Sequence, residues 1–584
     1  MTTTEPTPTT PPATSSTSAS TSTSASATGT VSTAGASGRV THRRGLVERY
    51  VDSVTDRVGG GSWLAQNLRK VFPTHFSFLW GELALYSFLV LLISGTYLTF
   101  FFEGSQETVT YAGSYEPLQG QEVSAAFDSV MRLSFDTRGG LLIRQMHHWA
   151  ALLFMGAIAL HLGRIYFTGA FRRPRDINWY FGMTLLVLSL AAGFTGYSLA
   201  DDLLSGTGLR ITYSIILAVP LVGERAAWAI FGGEWPGTDI IGRLYPVHIL
   251  LIPALIVGLL SVHLALVWHQ KHTQFEGPGR TEDNVIGERV WPGFAMKSIG
   301  LLFMVAGVIT AMGAVFEINA VWLYGPYDPA AATSYAQPDW YIGFLEGSLR
   351  LFPPWEIRVA GFVINNLVFS AILVPTVIFG GLYAVPVLER RFGGDQDDHH
   401  LLDRPRDRPV RTAIGVAATT FVSVLFLGGA QDIVARTLDV SVGHVTSVLQ
   451  FSILLAPPLA YVVTKRACES LAERGGPERT ERRVPIERSA GGGYEIPDID
   501  AADWMVGGGA APGHFDDITE RSEVRGPHRD PGHDDTTDRD ETGSDEDGVE
   551  SDGGRHRGAT RPTTAIGSED DDHAHVSDVG ARPQ

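Results

Sequence analysis

Long apolar runs separated by polar, Gly- and Pro-bearing segments dominate the middle of the chain. The runs are 83–102, 150–162, 183–200, 249–268, 299–316, 359–383, 412–428 and 447–464. A membrane-spanning helix needs about 20 predominantly apolar residues. Several runs reach that length once their flanks are included, and the second then covers 143–169. The pattern predicts eight spans and an all-α, polytopic membrane protein. The seventh span, near 411–430, is the least regular, because its far end is rich in Gly and polar residues. Residues 1–37 have the opposite character, Thr, Ser, Ala and Pro with no apolar core, and predict a disordered arm rather than a signal peptide.

Charge orients the spans. At 584 residues, length alone would suggest several soluble domains, but the apolar runs overrule that reading. From Gly476 to Gln584 there are 27 Asp/Glu and 12 Lys/Arg, a net of −15 within a whole-chain charge of −18. The acidity therefore belongs to the tail. Arg43, Arg44, Arg49, Arg69 and Lys70 precede the first span, and Arg164, Arg172, Arg173 and Arg175 follow the second. Lys271, Arg280 and Arg289 lie between the fourth and fifth, and Arg390, Arg391, Arg404, Arg406 and Arg408 between the sixth and seventh. Alternate loops are basic, so both termini are expected in the cytoplasm, with 103–142, 201–243, 321–358 and 429–446 facing outward across the cell membrane. The one cysteine, Cys468, excludes an internal disulfide and any cysteine-rich iron–sulfur or zinc site built by this chain alone.

Four histidines within the spans carry the chemistry. His147 and His161 are 14 positions apart, and His248 and His263 are 15 apart. Fourteen helical steps return a side chain to within about 40° of its starting direction, and fifteen to about 60°, with roughly 21–23 Å of axial rise. Each pair shares a helix face, and the predicted topology puts His147 and His248 near the outer surface, His161 and His263 near the inner. Ligating residues within a span are costly and usually functional. Neutral imidazole is a good axial haem ligand, and two per iron favour electron transfer.

Smaller signals agree. Gly81 and Gly95, and Gly182 and Gly196, repeat the 14-residue interval in the first and third spans, where a missing Cβ lets a flat macrocycle approach the backbone. Arg144 and Arg164 flank the second-span ligands by three residues and could neutralise propionates. His148 points about 100° away from its neighbour and is left out of the ligand set. His75, His269, His272, His399, His400 and His444 fall at span ends or in loops, where solvation is expected.

The segments RQMHHWAALLFMGAIALHLGRIYFTGAFRRPRDINW (144–179), GYSLADD (196–202), LYPVHILLIPALIVGLLSVH (244–263) and PDWY (338–341) resemble cytochrome b of the quinol-oxidising bc and b/f complexes. The resemblance covers roughly residues 63–466. It implies a di-haem four-helix bundle over 63–275, a second cytochrome b domain with the quinol-site loop over 276–470, a lead-in at 1–62 and a disordered acidic tail at 471–584. It further implies two non-covalent b-type haems, the outer held by His147 with His248 and the inner by His161 with His263. Quinol would be oxidised at the outer face with bifurcation of its electrons, one to a Rieske-type iron–sulfur protein and one across the membrane to an inner quinone site. A cytochrome c-like or copper-protein acceptor, a homodimeric complex and membrane lipid complete the implied partners, with no nucleic acid. By motif position Pro338, Asp339, Trp340 and Tyr341 would line the outer pocket, Asp339 and Tyr341 acting on the substrate and Asp339 taking its proton. Lys297 stands where mitochondrial-type members carry an inner quinone-site lysine, and Ser298 where they carry an acid.

Departures from the pattern narrow the reading. Asp339 replaces the usual Glu and reaches one methylene less far, leaving either a bridging water or a pocket suited to a lower-potential quinone such as menaquinone. Ala200 and Asp201 replace a Pro-Trp pair and bring a charge toward the outer pocket. The first span has no Cys for a further thioether-linked haem. Two other classes compete, a di-haem membrane anchor of a dehydrogenase or reductase, and a transporter with proton-coupling histidines. Neither accounts for PDWY.

Overall fold

A computed structural model of the chain describes residues 66–331 and 337–474, with a few isolated positions outside them. The expected arm at 1–62 and nearly all of the expected tail therefore lie outside the described residues. Among the described residues, eight helices are long and apolar enough to cross a membrane: Phe76–Leu98, Gly140–Phe167, Asp176–Ser198, Ile240–Gln270, Val290–Val315, Val368–Gly393, Pro409–Gly429 and Val442–Arg474. Helix is the natural outcome for such runs, since it satisfies every backbone N–H and C=O within the segment. These are the first to eighth spans below.

Two boundaries differ from the apolar runs. The first span begins at Phe76, so Gly81 and Glu82 lie inside it. The sixth begins at Val368, because Ile357–Val359 and Phe362–Ile364 pair as an antiparallel hairpin. The hairpin turns through Ala360 (φ 51°) and Gly361 (φ 84°), and two successive positive-φ residues match the strand twist. A short apolar run carries no period that separates strand from helix, which is why 359–364 reads as span. The eighth helix continues past residue 470 to Arg474.

The fourth span departs from a regular helix. Pro246 lies inside it and Pro253 follows shortly after. Between them Val247–Leu251 forms a π turn, in which the Ile252 N–H reaches back five residues to the Val247 carbonyl. A π turn accommodates one extra residue, and His248 lies within it.

The first and second spans pack together, the third packs on the fourth, and the fifth covers the first two. Phe88, Ile252 and Ile256 form the centre of the four-helix group, with Phe154, Leu188 and Ala192 around them. Phe154 is midway between His147 and His161, and its ring stacks on Phe88 at 5.5 Å between centroids. Such a pair adds about 0.5–1.5 kcal/mol beyond area burial.

The seventh and eighth spans pair, and a short helix, Gly343–Leu351, wedges against the seventh. At the His147 end the loops carry structure of their own. Ser124 caps the helix Ala125–Phe135, and Asp202 and Ser205 form a reciprocal capping box on Leu203–Leu217. Asp201 is buried in a left-handed backbone conformation (φ 48°) and bonds Ser124 and Gln106. The Asp201 charge is thus turned into the loops at the His147 end of the bundle. At the other end Arg175 donates to the carbonyls of Gln270, Lys271 and His399, and Gln274–Phe275 runs parallel to Leu401–Leu402. These bonds stitch the two halves of the chain together.

Candidate functional site: two histidine pairs and the 338–341 loop

His147 and His161 of the second span each face a histidine of the fourth. The ring centroids of His147 and His248 are 6.4 Å apart, and those of His161 and His263 are also 6.4 Å apart. An imidazole nitrogen binds a transition metal at about 2.0 Å, so two opposed rings on one metal stand roughly 6 Å apart. The 14- and 15-residue intervals reach the same separation because the π turn takes up the additional residue of the fourth span.

Hydroxyls on neighbouring helices orient two of the rings. Ser94 donates its proton to the Val90 carbonyl at 2.6 Å, so its oxygen accepts from His147 Nδ1 at 3.0 Å. Thr195 does the same, donating to Ala191 at 2.8 Å and accepting from His248 Nδ1 at 3.2 Å. This fixes Nδ1 as the protonated nitrogen and leaves Nε2 to ligate, the arrangement that holds metal-binding histidines in register.

The four glycines lie directly against the four rings. A Cβ on Gly95 would stand 3.1 Å from His147 Cε1, and one on Gly81 3.2 Å from His161 Cε1. On Gly182 it would make ordinary contact with His263 at 3.6 Å, and on Gly196 it would overlap the His248 ring.

Two buried guanidinium groups keep unpaired donors. Arg144 gives Nη1 to the Asn319 carbonyl at 3.1 Å, but its Nε and Nη2 have no partner. Arg164 stacks over Phe78 and gives Nη2 to Thr273 at 3.3 Å, while its Nε has none. Buried donors are ordinarily satisfied, so these suit an anionic group of a bound molecule. Among the described residues no three His, Cys, Asp or Glu side chains converge on a point. Each pair would therefore give a metal two imidazole nitrogens, as many as a macrocycle that supplies four nitrogens of its own would need from the protein. The residues fit b-type haem.

The 338–341 loop meets the second span from the other half of the chain. Asp339 Oδ1 lies 2.7 Å from His148 Nε2, and the Tyr341 hydroxyl donates to Asp339 Oδ2 at 2.9 Å. Tyr341 is 4 % exposed, and burial beside Asp339 pushes its hydroxyl well above the usual phenol range. Its ring occupies space that a side chain at Gly193 would fill. Pro338 is half-buried, and Trp340 is partly exposed against Phe426.

His148 escapes notice in the sequence because it lies off the face shared by His147 and His161. A second histidine in the same span, on a different face, was the available signal. Lys297 is 70 % exposed and its Nζ pairs with Glu288 at 2.7 Å. His75, His269 and His444 are exposed as expected, but His272, His399 and His400 are half-buried. Arg175 gathers segments 270–272 and 399–400 around itself, which explains the difference. Burial, with Arg164 and Arg175 close by, draws the His272 pKa down to about 4.

Known proteins share this sequence and fold. Residues 152–326 match the family described as Cytochrome b(N-terminal)/b6/petB. The cytochrome bc1 complex cytochrome b subunit of Streptomyces coelicolor is 47 % identical over 427 residues, covering 73 % of this chain and 78 % of the relative. That of Mycobacterium tuberculosis is 49 % identical over 440 residues, covering 75 % and 79 %. A solved hyperthermophilic respiratory Complex III shares the fold at 18 % identity with a TM-score of 0.51, covering 71 % of this chain and 99 % of that one. The chain belongs to the cytochrome b family of bc1-type complexes.

Proposed function

We propose that this chain is the quinol-oxidising, haem-bearing subunit of a bc1-type respiratory complex. In this reading an outer haem lies between His147 and His248, and an inner haem between His161 and His263. The observation that carries it is the pair of equal 6.4 Å ring separations on the same two helices. When bound, two such haems would supply two single-electron carriers.

The chain's own residues do the rest. Ser94 and Thr195 set the outer rings, the four glycines leave room beside the rings, and Arg144 and Arg164 neutralise the propionates. At the outer face Asp339 takes a proton from quinol, acting as a general base held by His148 and Tyr341. Quinol loses two electrons and two protons. One electron leaves to a Rieske-type iron–sulfur partner, and the other crosses to quinone at the inner face, with protons released outside. Docking of a cytochrome c-like acceptor and assembly as a dimer belong to the same reading. The shorter reach of Asp339 favours menaquinone as substrate. Redox titration of the complex purified with its partners tests the assignment. Two b-type components of different potential are expected, and a complex without bound haem would overturn it.

A further inference from the structure

One carboxylate inside the spans has no part in the chemistry above. Glu82 lies in the first span, next to Gly81, whose position abuts the His161 ring. It faces the fifth span. Ser298 donates to Glu82 Oε2 at 2.6 Å, and Tyr86, one turn along, donates to the same oxygen at 3.3 Å. The Tyr86 and Ser298 hydroxyls are also in contact. Neither hydroxyl bonds Oε1. Lys297, the next residue to Ser298, is exposed and paired with Glu288, so the trio lies one residue from a charged pair near the start of the fifth span. An acid within a span is costly to keep and usually marks an ion or proton path. This one stands between that charged pair and the backbone position that abuts the His161 ring.

We propose that Glu82 is the proton donor for quinone reduced at the inner face, a role that rests on the quinone chemistry proposed above. Quinone takes up two electrons, one from each of two successive quinol oxidations at the outer face, and two protons, one delivered by Glu82 with each electron. As an O–H bond forms on the quinone oxygen, the O–H bond of the Glu82 carboxyl breaks. The carboxylate is then reprotonated from the inner aqueous phase.

Glu82→Gln tests this in the assembled complex, since the amide oxygen still accepts from Ser298 and Tyr86. Both b-haem bands and their reduction by quinol should be unchanged, while reoxidation of the inner haem by added quinone slows about 100-fold. The protonated-carboxyl stretch in the redox-induced infrared difference spectrum should disappear. Tyr86→Phe and Ser298→Ala cut the same interhelical bonds but leave the acid, and should keep most of the rate. Wild-type reoxidation in Glu82→Gln, or equal loss in all three variants, would overturn the assignment and leave Glu82 a helix-pinning group. A wild-type complex lacking b-haem bands would overturn the proposed function itself, a result readily told apart from either.

Discussion

The His148 imidazole meets the Asp339 carboxylate at 2.7 Å across 191 residues of sequence. His148 follows His147 on the second span, and Asp339 sits in the loop between the fifth and sixth. One helical turn thus holds both the outer histidine site and the group proposed to take the substrate proton. Any shift of the loop is felt at the same turn that carries His147.

Asp339→Asn keeps the shape of the side chain and removes its basicity. Quinol oxidation by the complex should fall about 100-fold or more, with both b-haem signals retained. Tyr341→Phe removes one hydrogen bond to the carboxylate, an interaction of about 1.5–3 kcal/mol, and should cost roughly tenfold or more. Full steady-state activity in Asp339→Asn would remove it as the base.

Ligand replacement should separate the two sites. His147→Leu is expected to delete one titrating b component and His161→Leu the other, each leaving its companion visible in reduced-minus-oxidised spectra. Loss of the same component in both variants would contradict the pairing of rings.

The glycines should differ among themselves. Alanine at 196 overlaps the His248 ring, at 95 and 81 it presses at 3.1 and 3.2 Å, and at 182 it only touches. Haem retention and the shift in haem potential should follow that order, with Gly196→Ala the most damaging. An equal effect at all four positions would mean that ring crowding does not decide it.

Glu346, on the helix behind the loop, supplies a pH signature. Burial, with Asp432 nearby, pushes its pKa up to about 7 against the attraction of Arg350. The native state then keeps a proton that the unfolded chain releases above about 4.5. Its contribution is present below that pH and is lost as pH rises through about 7. Glu346→Gln should melt closer to wild type, or below it, at pH 5 and above wild type at pH 8. A melting difference constant across that range would exclude this account.

The eight spans and the histidine pairs were legible because both follow from periodicity within one helix. Pairings that join distant segments were not. Glu82 meets Ser298, and His148 meets Asp339, only after helices far apart in sequence pack together. The hairpin at 357–364 hid in an apolar run because its turn depends on the backbone of Ala360 and Gly361, and the partners of Arg175 turned three expected surface histidines inward. Arg144 and Arg164 were visible as flanking charges, but their unpaired nitrogens required the packed bundle.

The π turn at Val247–Leu251 makes ligand placement tolerant of insertion. One added residue would ordinarily swing everything beyond it by about 100°. Here the widened turn cancels that rotation before the helix reaches His263, so the count along the chain can drift while the space between the rings stays constant. Removing one residue from 249–251 should therefore straighten the helix and leave the inner spectrum intact.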